Sequence, residues 1–363
     1  MKRTLLALLL ALMLVFTLGA CGNDAPPPAP PADTTDPADA ADTDDADDTD
    51  EASAFAPGEF QIRLGTVVTG DHAWIQMAEF IQEELAARSD GAIEVSIFPG
   101  GQLGNDEAMI DDMRLGTLDM IIGGTQNAAP FVPQFQVLSM HYLFPTSEAF
   151  ERVLSDEAVL AYFQQQYDDN GLGLRLLGLS NGGQRNLHAN REIHSVDDLA
   201  GMRMRVTASI TESMVWSTLG TLPVSMAFNE IYTAVQSNVV DSFEVTAAAF
   251  VGSALYEVAP YLILTNHQYT PSHITFSGIS FDRLPAEIQA LIEEVAAEAV
   301  ILGSAIANEA DNSLHALLVS EHGVTLIEVD RAEFRAVVEP LYAELTEGVN
   351  GEEIFQIISG IIG

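Results

Sequence analysis

Lysine is missing from every position of this 363-residue chain except the second, cysteine occurs once, and cations of any kind are scarce, with 14 Lys and Arg against 53 Asp and Glu. Each absence removes a class of chemistry. With Lys2 the sole lysine there is no amine for a Schiff base, no Ser-x-x-Lys pair and no phosphate-cradling loop closed by lysine. A single thiol, Cys21, forms no internal disulfide. The eight histidines are scattered: the closest pairs, His188 with His194 and His267 with His273, lack a His-x-x-x-His spacing or neighbouring cysteines, so no metal is expected, and no cofactor either. A formal charge of −39 makes nucleic acid a poor partner.

Long apolar runs are also missing, save one. Residues 5–16 are apolar, follow Lys2 and Arg3, and end in the small residues before Cys21. The run is shorter than the ~20 residues of a membrane span and reads as an export signal covering residues 1–21. Leu18-Gly19-Ala20-Cys21 resembles a bacterial lipobox, which implies a lipid on Cys21 and a mature protein outside the cytoplasm, held at the membrane surface. Residues 22–58 are almost entirely Ala, Pro, Asp and Thr, with eleven acids and no cation. Such a segment cannot bury enough surface to fold, so a disordered acidic tether is expected. Its Asp-rich stretch 42–50 lacks the glycine turn and closing glutamate of a calcium loop.

The remaining 305 residues, 59–363, carry 42 acids and 12 arginines, a formal charge of −30. Strand patterns at 61–68, 93–98 and 120–122 alternate with helical spacings at 73–88 and from Asn105 to residue 115. A second series follows: strands at 172–179 and 202–206, a helix at 210–219, a strand at 222–224, a helix at 230–236 and a strand at 239–245. Alternating β and α predicts an α/β protein with parallel sheet in two lobes. The stretches 261–264 and 273–276 would pass between them. Residues 285–322 read as one helix, roughly 55 Å long, enough to span both lobes, with a kink at Gly303 allowed. A strand at 324–329 and a helix at 332–345 close the chain.

A domain this acidic repels anions at long range, so an anionic ligand needs a local positive focus. Arg185, Arg191, Arg203 and Arg205 fall within 21 residues and supply one. In Met202-Arg203-Met204-Arg205-Val206 strand alternation puts both arginines on one face, and alternation alone does not say which reaches a cleft. The bland alternative pairs them with nearby acids such as Asp197, Asp198 or Glu212. Phe228, ahead of a helix, fits a core or a pocket wall. Gly178-Leu179-Ser180-Asn181-Gly182 matches the G-x-S-x-G nucleophile pattern, but Gly183-Gln184-Arg185 follows where a helix should start, so a glycine-rich turn is the better reading and a secreted esterase using Ser180 the weaker one.

Several motifs agree in order and spacing with one family: Phe98-Pro99-Gly100-Gly101-Gln102-Leu103-Gly104, then Gly116-Thr117-Leu118-Asp119-Met120, Asp198-Leu199-Ala200-Gly201-Met202-Arg203-Met204-Arg205-Val206, Phe228-Asn229-Glu230-Ile231-Tyr232 and Thr265-Asn266-His267. Over about residues 60–345 the chain resembles the DctP-type solute receptors of tripartite ATP-independent periplasmic (TRAP) transporters. The resemblance implies a two-lobed periplasmic-binding-protein fold with a cleft between the lobes, one lobe made of 59–182 plus about 271–310 and the other of 183–270 plus about 311–363. It implies a binding protein and no enzyme, which closes on a small organic acid and hands it to separate membrane permease subunits; a sensor signalling to a membrane kinase is the alternative. Arg205 becomes the carboxylate anchor, Arg185 its helper, and Arg203 and Arg191 structural. Phe228 packs on the ligand, Gly124, Thr125 and Asn127 face it from the other lobe, and Val245 stands where many relatives have an asparagine that bonds the ligand, a contact Thr246 would have to replace.

Overall fold

The computed structural model describes residues 55–363; the expected export signal, Cys21 and all but the last four residues of the tether lie outside the described residues. Nine strands order the rest: β1 (Phe60–Gly65), β2 (Ile93–Phe98), β3 (Met120–Gly124), β4 (Leu174–Ala189), β5 (Arg203–Val206), β6 (Leu222–Ser225), β7 (Ser242–Thr246), β8 (Tyr261–Ser277) and β9 (Thr325–Glu328). They form one sheet in the order β2-β1-β3-β8-β4-β7-β5-β6, with β9 on β8.

Local chemistry accounts for the first half. The helix Ala73–Arg88 buries Trp74, Met77, Ala78, Ile81 and Leu85 along one stripe, and the His72 imidazole caps it by accepting from the Trp74 N–H at 3.1 Å. Asn105 caps the helix Asp106–Leu115 in the same way, accepting from Ala108 N–H at 2.9 Å, and Gly116 ends it in the left-handed conformation at φ 71°. These helices cross between β1, β2 and β3, which run parallel. The second half repeats the arrangement: β5 lies parallel to β6 and β7, with helices Ile210–Thr218 and Ile231–Gln236 between.

The sheet as a whole is mixed, contrary to the parallel sheet expected from alternation. β8 runs antiparallel to β3 and β4, and β4 antiparallel to β7, because these long strands are crossings from one half to the other and lie outside the βαβ units. β8 spans 17 residues where two short stretches were expected, and β4 spans 16, continuing through the glycines read as a turn. Their shared ladder slips between Asn181 and Gln184, opposite Pro271, which has no N–H to give it, and Gly183 adopts φ 103° there.

The helix Ala286–His322 runs uninterrupted for 37 residues and ends at Gly323, φ 66°. Gly303 serves close packing: a methyl group there would overlap the buried Met77 side chain. One polar stripe of this helix reaches the slipped part of β4. Ser304 Oγ accepts from Asn181 N–H at 3.0 Å, Asn308 Oδ1 from Asn181 Nδ2 at 3.0 Å, and Asp311 Oδ2 from Gln184 N–H at 2.8 Å. Two backbone N–H groups at the bulge, those of Asn181 and Gln184, are thus satisfied by the helix, and that of Gly183 by the Asn181 side chain.

Five α-helices have no counterpart in the sequence reading, Ser147–Leu154, Glu157–Asp169, Ala247–Gly252, Gly278–Phe281 and Glu352–Ile362, and the expected helix at 332–345 is broken into Arg331–Val338 and Tyr342–Gly348 around Pro340. Replacing Gly303 with leucine should lower stability by about 1–3 kcal/mol, the usual cost of overpacking, read as a lower urea midpoint with unchanged slope. Recovery of the midpoint in the Met77→Ala background would trace the loss to that contact, and no recovery would refute it.

Candidate functional site

Arg205 sits in the middle of β5 and is 1% exposed. Its Nε and Nη2 both donate to the carbonyl of Met226, at 3.1 and 3.0 Å, and among the described residues no carboxylate stands within salt-bridge reach of it. Burial lowers its pKa to about 10, against the raising effect of Glu244. The Met226 carbonyl takes one edge of the guanidinium, so the Nη1 and Nη2 end is left for a further acceptor.

Arg185, in β4, is as deeply buried but is already paired. Its Nε and Nη2 grip both carboxylate oxygens of Glu244 on β7, and Nη2 also donates to the Glu244 carbonyl at 2.8 Å. Burial pushes the Glu244 carboxyl up, but Arg185 beside it and a hydrogen bond from His267 hold it well below the usual carboxylate range. Only Arg185 Nη1 remains without a partner among the described residues. The other two arginines of the cluster serve the scaffold: Arg203 bridges Asp241 at 2.8 and 2.5 Å, and Arg191 donates to the Asp198 carbonyl at 2.8 Å.

Arg205 and Arg185 line one cavity together with Phe228, Asn127 and Val245, so five of the seven side chains picked from the sequence meet. Gly124 and Thr125 do not line it. β3 continues through Gly124, paired with Ser272, and Thr125 N–H is tied to the Pro271 carbonyl at 2.9 Å, so the chain turns toward the cavity only at Gln126 and Asn127. Val67, Val68, Trp74, Thr207, Ala249 and Thr270 line it without having been picked from the sequence; His72, Gln126 and Thr246 also line the space. The space holds about 410 Å³ free of protein atoms, open solvent at its mouth included, of which about 30 Å³ would accept the centre of a water molecule. Three of the side chains lining it carry buried polar atoms with no partner among the described residues: the Trp74 indole Nε1, Gln126 Oε1 and Thr270 Oγ1. Thr246 Oγ1 accepts from Ala249 N–H at 3.3 Å, and its own proton is free to point elsewhere.

A wider, open hollow adjoins this cavity and shares Asn127 and Phe228 with it. Asp106 lines the hollow, its Oδ2 accepting from Asn127 Nδ2 at 3.0 Å. Ser180 is no nucleophile. It lies inside β4, 1% exposed, with its Oγ 2.6 Å from Ser272 Oγ, so the G-x-S-x-G match is a stretch of strand without the exposed elbow the reaction needs.

A mixed α/β sheet in two lobes with a cavity lined by a buried guanidinium that has no carboxylate partner among the described residues defines a solute-binding protein. Residues 64–348 match the bacterial extracellular solute-binding proteins, family 7, and the chain belongs to that family. It is 28% identical over 278 residues to the C4-dicarboxylate-binding periplasmic protein DctP of Rhodobacter capsulatus, covering 75% of this chain and 82% of that one. The crystal structure of a TRAP periplasmic solute-binding protein from Roseobacter denitrificans with bound L-galactonate superimposes with a TM-score of 0.77 at 30% identity, covering 85% of this chain and all of that one. A sugar acid binding protein of Advenella mimigardefordensis in complex with galactonate gives 0.79 at 26% identity over 85% of this chain and 98% of that one. The homologues are binding proteins of TRAP transporters, an extracytoplasmic family, and the chain is not an enzyme. Among the described residues no helix is long and apolar enough to cross a membrane.

Burial also sets the pH response of this region. It lowers the imidazoles of His72 and His188 to about 3 and of His273 to about 4, and lowers His141 and His267 as well. Their stabilising contribution is complete above the unfolded value of ~6.5 and is lost as pH falls toward the folded values. Asp106 and Asp311, raised by burial to about 7, and Glu212, also raised, act in the opposite sense, losing their contribution as pH rises from ~4. Five imidazoles outweigh three carboxyls, and Glu244 adds to their side. Stability should therefore fall between about pH 6.5 and 4.5. Urea midpoints across that interval test the balance, and a flat or rising profile would contradict it.

Proposed function

We propose that the protein captures a small hydroxylated carboxylate, a sugar acid or close relative, in the cavity at Arg205 and passes it to TRAP permease subunits in the membrane. The observation that carries the reading is a buried guanidinium whose protein partner is a carbonyl. A ligand carboxylate accepting from Nη1 and Nη2 of Arg205 would complete it with two parallel bonds, and Arg185 Nη1 would add a third. Such charge-assisted bonds are worth about 1.5–3 kcal/mol net, against the ~8 kcal/mol of micromolar binding, so the rest of the ligand must be matched too. The Trp74 donor, the Gln126 acceptor and the Thr270 hydroxyl supply that match for a ligand bearing hydroxyls, and Phe228 offers an apolar face. Val245 gives no polar contact where many relatives have asparagine. The galactonate bound by the Roseobacter and Advenella proteins has this chemistry.

The lobe boundaries read from the sequence, 182/183 and 270/271 in the crossing strands, fall on the slip between Asn181 and Gln184 opposite Pro271, and the boundary near residue 310 lies beside Asp311, which bonds Gln184. We take this region as the hinge about which the lobes, 59–182 with about 271–310 and 183–270 with about 311–363, open and close. Export by residues 1–21, a lipid on Cys21 and the acidic tether 22–58 would hold the receptor near its permease.

Calorimetry with galactonate and related aldonates tests the anchor. Arg205→Ala should weaken binding by tenfold or more, at least about 1.4 kcal/mol, and Arg205→Lys should recover only part, since an ammonium lacks the planar fork. Unchanged affinity in Arg205→Ala would refute the assignment. Cys21→Ser should move the exported protein from the membrane fraction to the soluble fraction, and retention on the membrane would refute the lipid anchor.

A further inference from the structure

Behind the crossing strands lies another hollow, which the reading above leaves unused. Gln184 of β4 and Tyr269 of β8 are paired across the ladder and line it, while their chain neighbours Arg185 and Thr270 line the cavity. Successive residues of a strand point to opposite faces, so hollow and cavity lie on opposite sides of β4 and β8 at the hinge. The two spaces are close. His267 lines the hollow, Arg185 lines the cavity, and both bond the Glu244 carboxylate. About 470 Å³ of the hollow would accept the centre of a water molecule, against about 30 Å³ of the cavity.

The walls of the hollow come from both lobes and differ in chemistry. Tyr142, Phe144 and Pro145 of the first lobe give it an apolar side. Tyr142 has a left-handed backbone, φ 61°, which is rare for a bulky residue. It is tied to β8 through its N–H to the His267 carbonyl at 2.7 Å and its hydroxyl to the Thr265 carbonyl at 3.2 Å. Arg331 and Arg335 of the second lobe lie four positions apart on the helix Arg331–Val338 and share one face of it. Arg331 Nε donates to the Leu264 carbonyl at 3.3 Å, and among the described residues no carboxylate stands within salt-bridge reach of this guanidinium. Arg335 meets Glu339 at 3.2 Å with both side chains half exposed, a contact of little strength. In a domain with 42 acids and 12 arginines, the described residues lining this hollow include two arginines and no acid.

We infer that this hollow is a second binding site, for an organic anion with an apolar body, and that its occupant favours the closed cleft. The acid group would accept from Arg331 and Arg335 while the body packs on Tyr142 and Phe144. An occupant between the lobes resists any motion that brings these walls together. On the side of the hinge away from the cleft, that motion is the opening of the cleft. Filling the hollow therefore raises affinity at Arg205 by shifting the balance of open and closed forms. This coupling rests on the hinge and on Arg205 as the carboxylate anchor, whereas binding in the hollow requires neither.

Titration calorimetry with phenylacetate and indole-3-acetate, carried out on Arg205→Ala protein to disable the cavity, reads the hollow directly. At least one of the two should bind, and adding Arg331→Ala with Arg335→Ala should weaken it tenfold or more. Sulfate should bind at least tenfold more weakly than the tighter of them; equal binding would refute the apolar half of the assignment. Ala332 also lines the hollow, so Ala332→Trp fills it from the same helix without touching the cavity. That variant should tighten aldonate binding about threefold or more, and so should a saturating aromatic acid in the unmodified chain. Thermal melting checks that each variant is folded. No binding of either aromatic acid, or binding that survives loss of both arginines, refutes the site whatever happens at Arg205. If an aromatic acid binds there but neither it nor Ala332→Trp alters aldonate affinity, the coupling is refuted and the site stands. If no aldonate binds at all, the anchor reading falls by itself, and small-angle scattering reads the coupling instead: the aromatic acid should reduce the radius of gyration, and an unchanged radius would refute it.

Discussion

Removing a guanidinium from water costs several kcal/mol even after the protein relaxes around it, and proteins ordinarily recover this with a carboxylate. Arg185 follows that rule through Glu244. Arg205, buried to the same degree on a neighbouring element, has only the Met226 carbonyl, and its lowered pKa expresses the burial that remains uncompensated. The cleft is arranged around that difference. Glu244 fixes Arg185 so that one arm is left over, the Met226 carbonyl holds Arg205 by one edge so that its forked end stays free, and Trp74, Gln126 and Thr270, each with a polar atom unpartnered among the described residues, line the same cavity. A strongly acidic protein thus keeps one buried positive charge that its own side chains do not neutralise.

The scaffold holds these groups from both sides without a covalent staple. β4 and β8 carry the chain across, and the helix Ala286–His322 packs along them. The double glycine of β4 and Pro271 of β8 interrupt the ladder midway, Ser304 and Asp311 take the freed N–H groups of Asn181 and Gln184, and Asn308 holds the Asn181 side chain. Gly182 has a second duty, since any side chain there would press on the Trp74 indole and the Thr270 backbone that line the cavity. The interruption of the strands and the shape of the site are two effects of the same few residues.

Much of the fold was legible where a single period runs without interruption. The helix Ala73–Arg88 and the helix ending at Gly323 follow from apolar spacing and terminal residues alone. The long strands were not, because Gly182, Gly183 and Pro271 are turn residues in every local reading, and only pairing between strands 80 to 90 residues apart makes them bulge residues. The same distance hid the partner of Arg185: nearby acids were the natural guess, and Glu244 lies 59 positions on. Trp74 sits on the buried stripe of its helix, so its periodicity matched core, and nothing in that pattern separates an indole aimed at packing from one whose N–H faces a cavity. Asn127 entered the reading through the family resemblance and not through any local pattern.

Room for only about 30 Å³ of water centres beside the arginines, next to an open hollow past Asn127 and Phe228, gives the cleft a direction. The walls close in on one end of the space and leave the other to solvent, so a guest would be stripped of water at its charged end and keep it at the far one. The end that sheds its water bears most of the cost of entry, and the open end is the side from which a guest would be approached and given up.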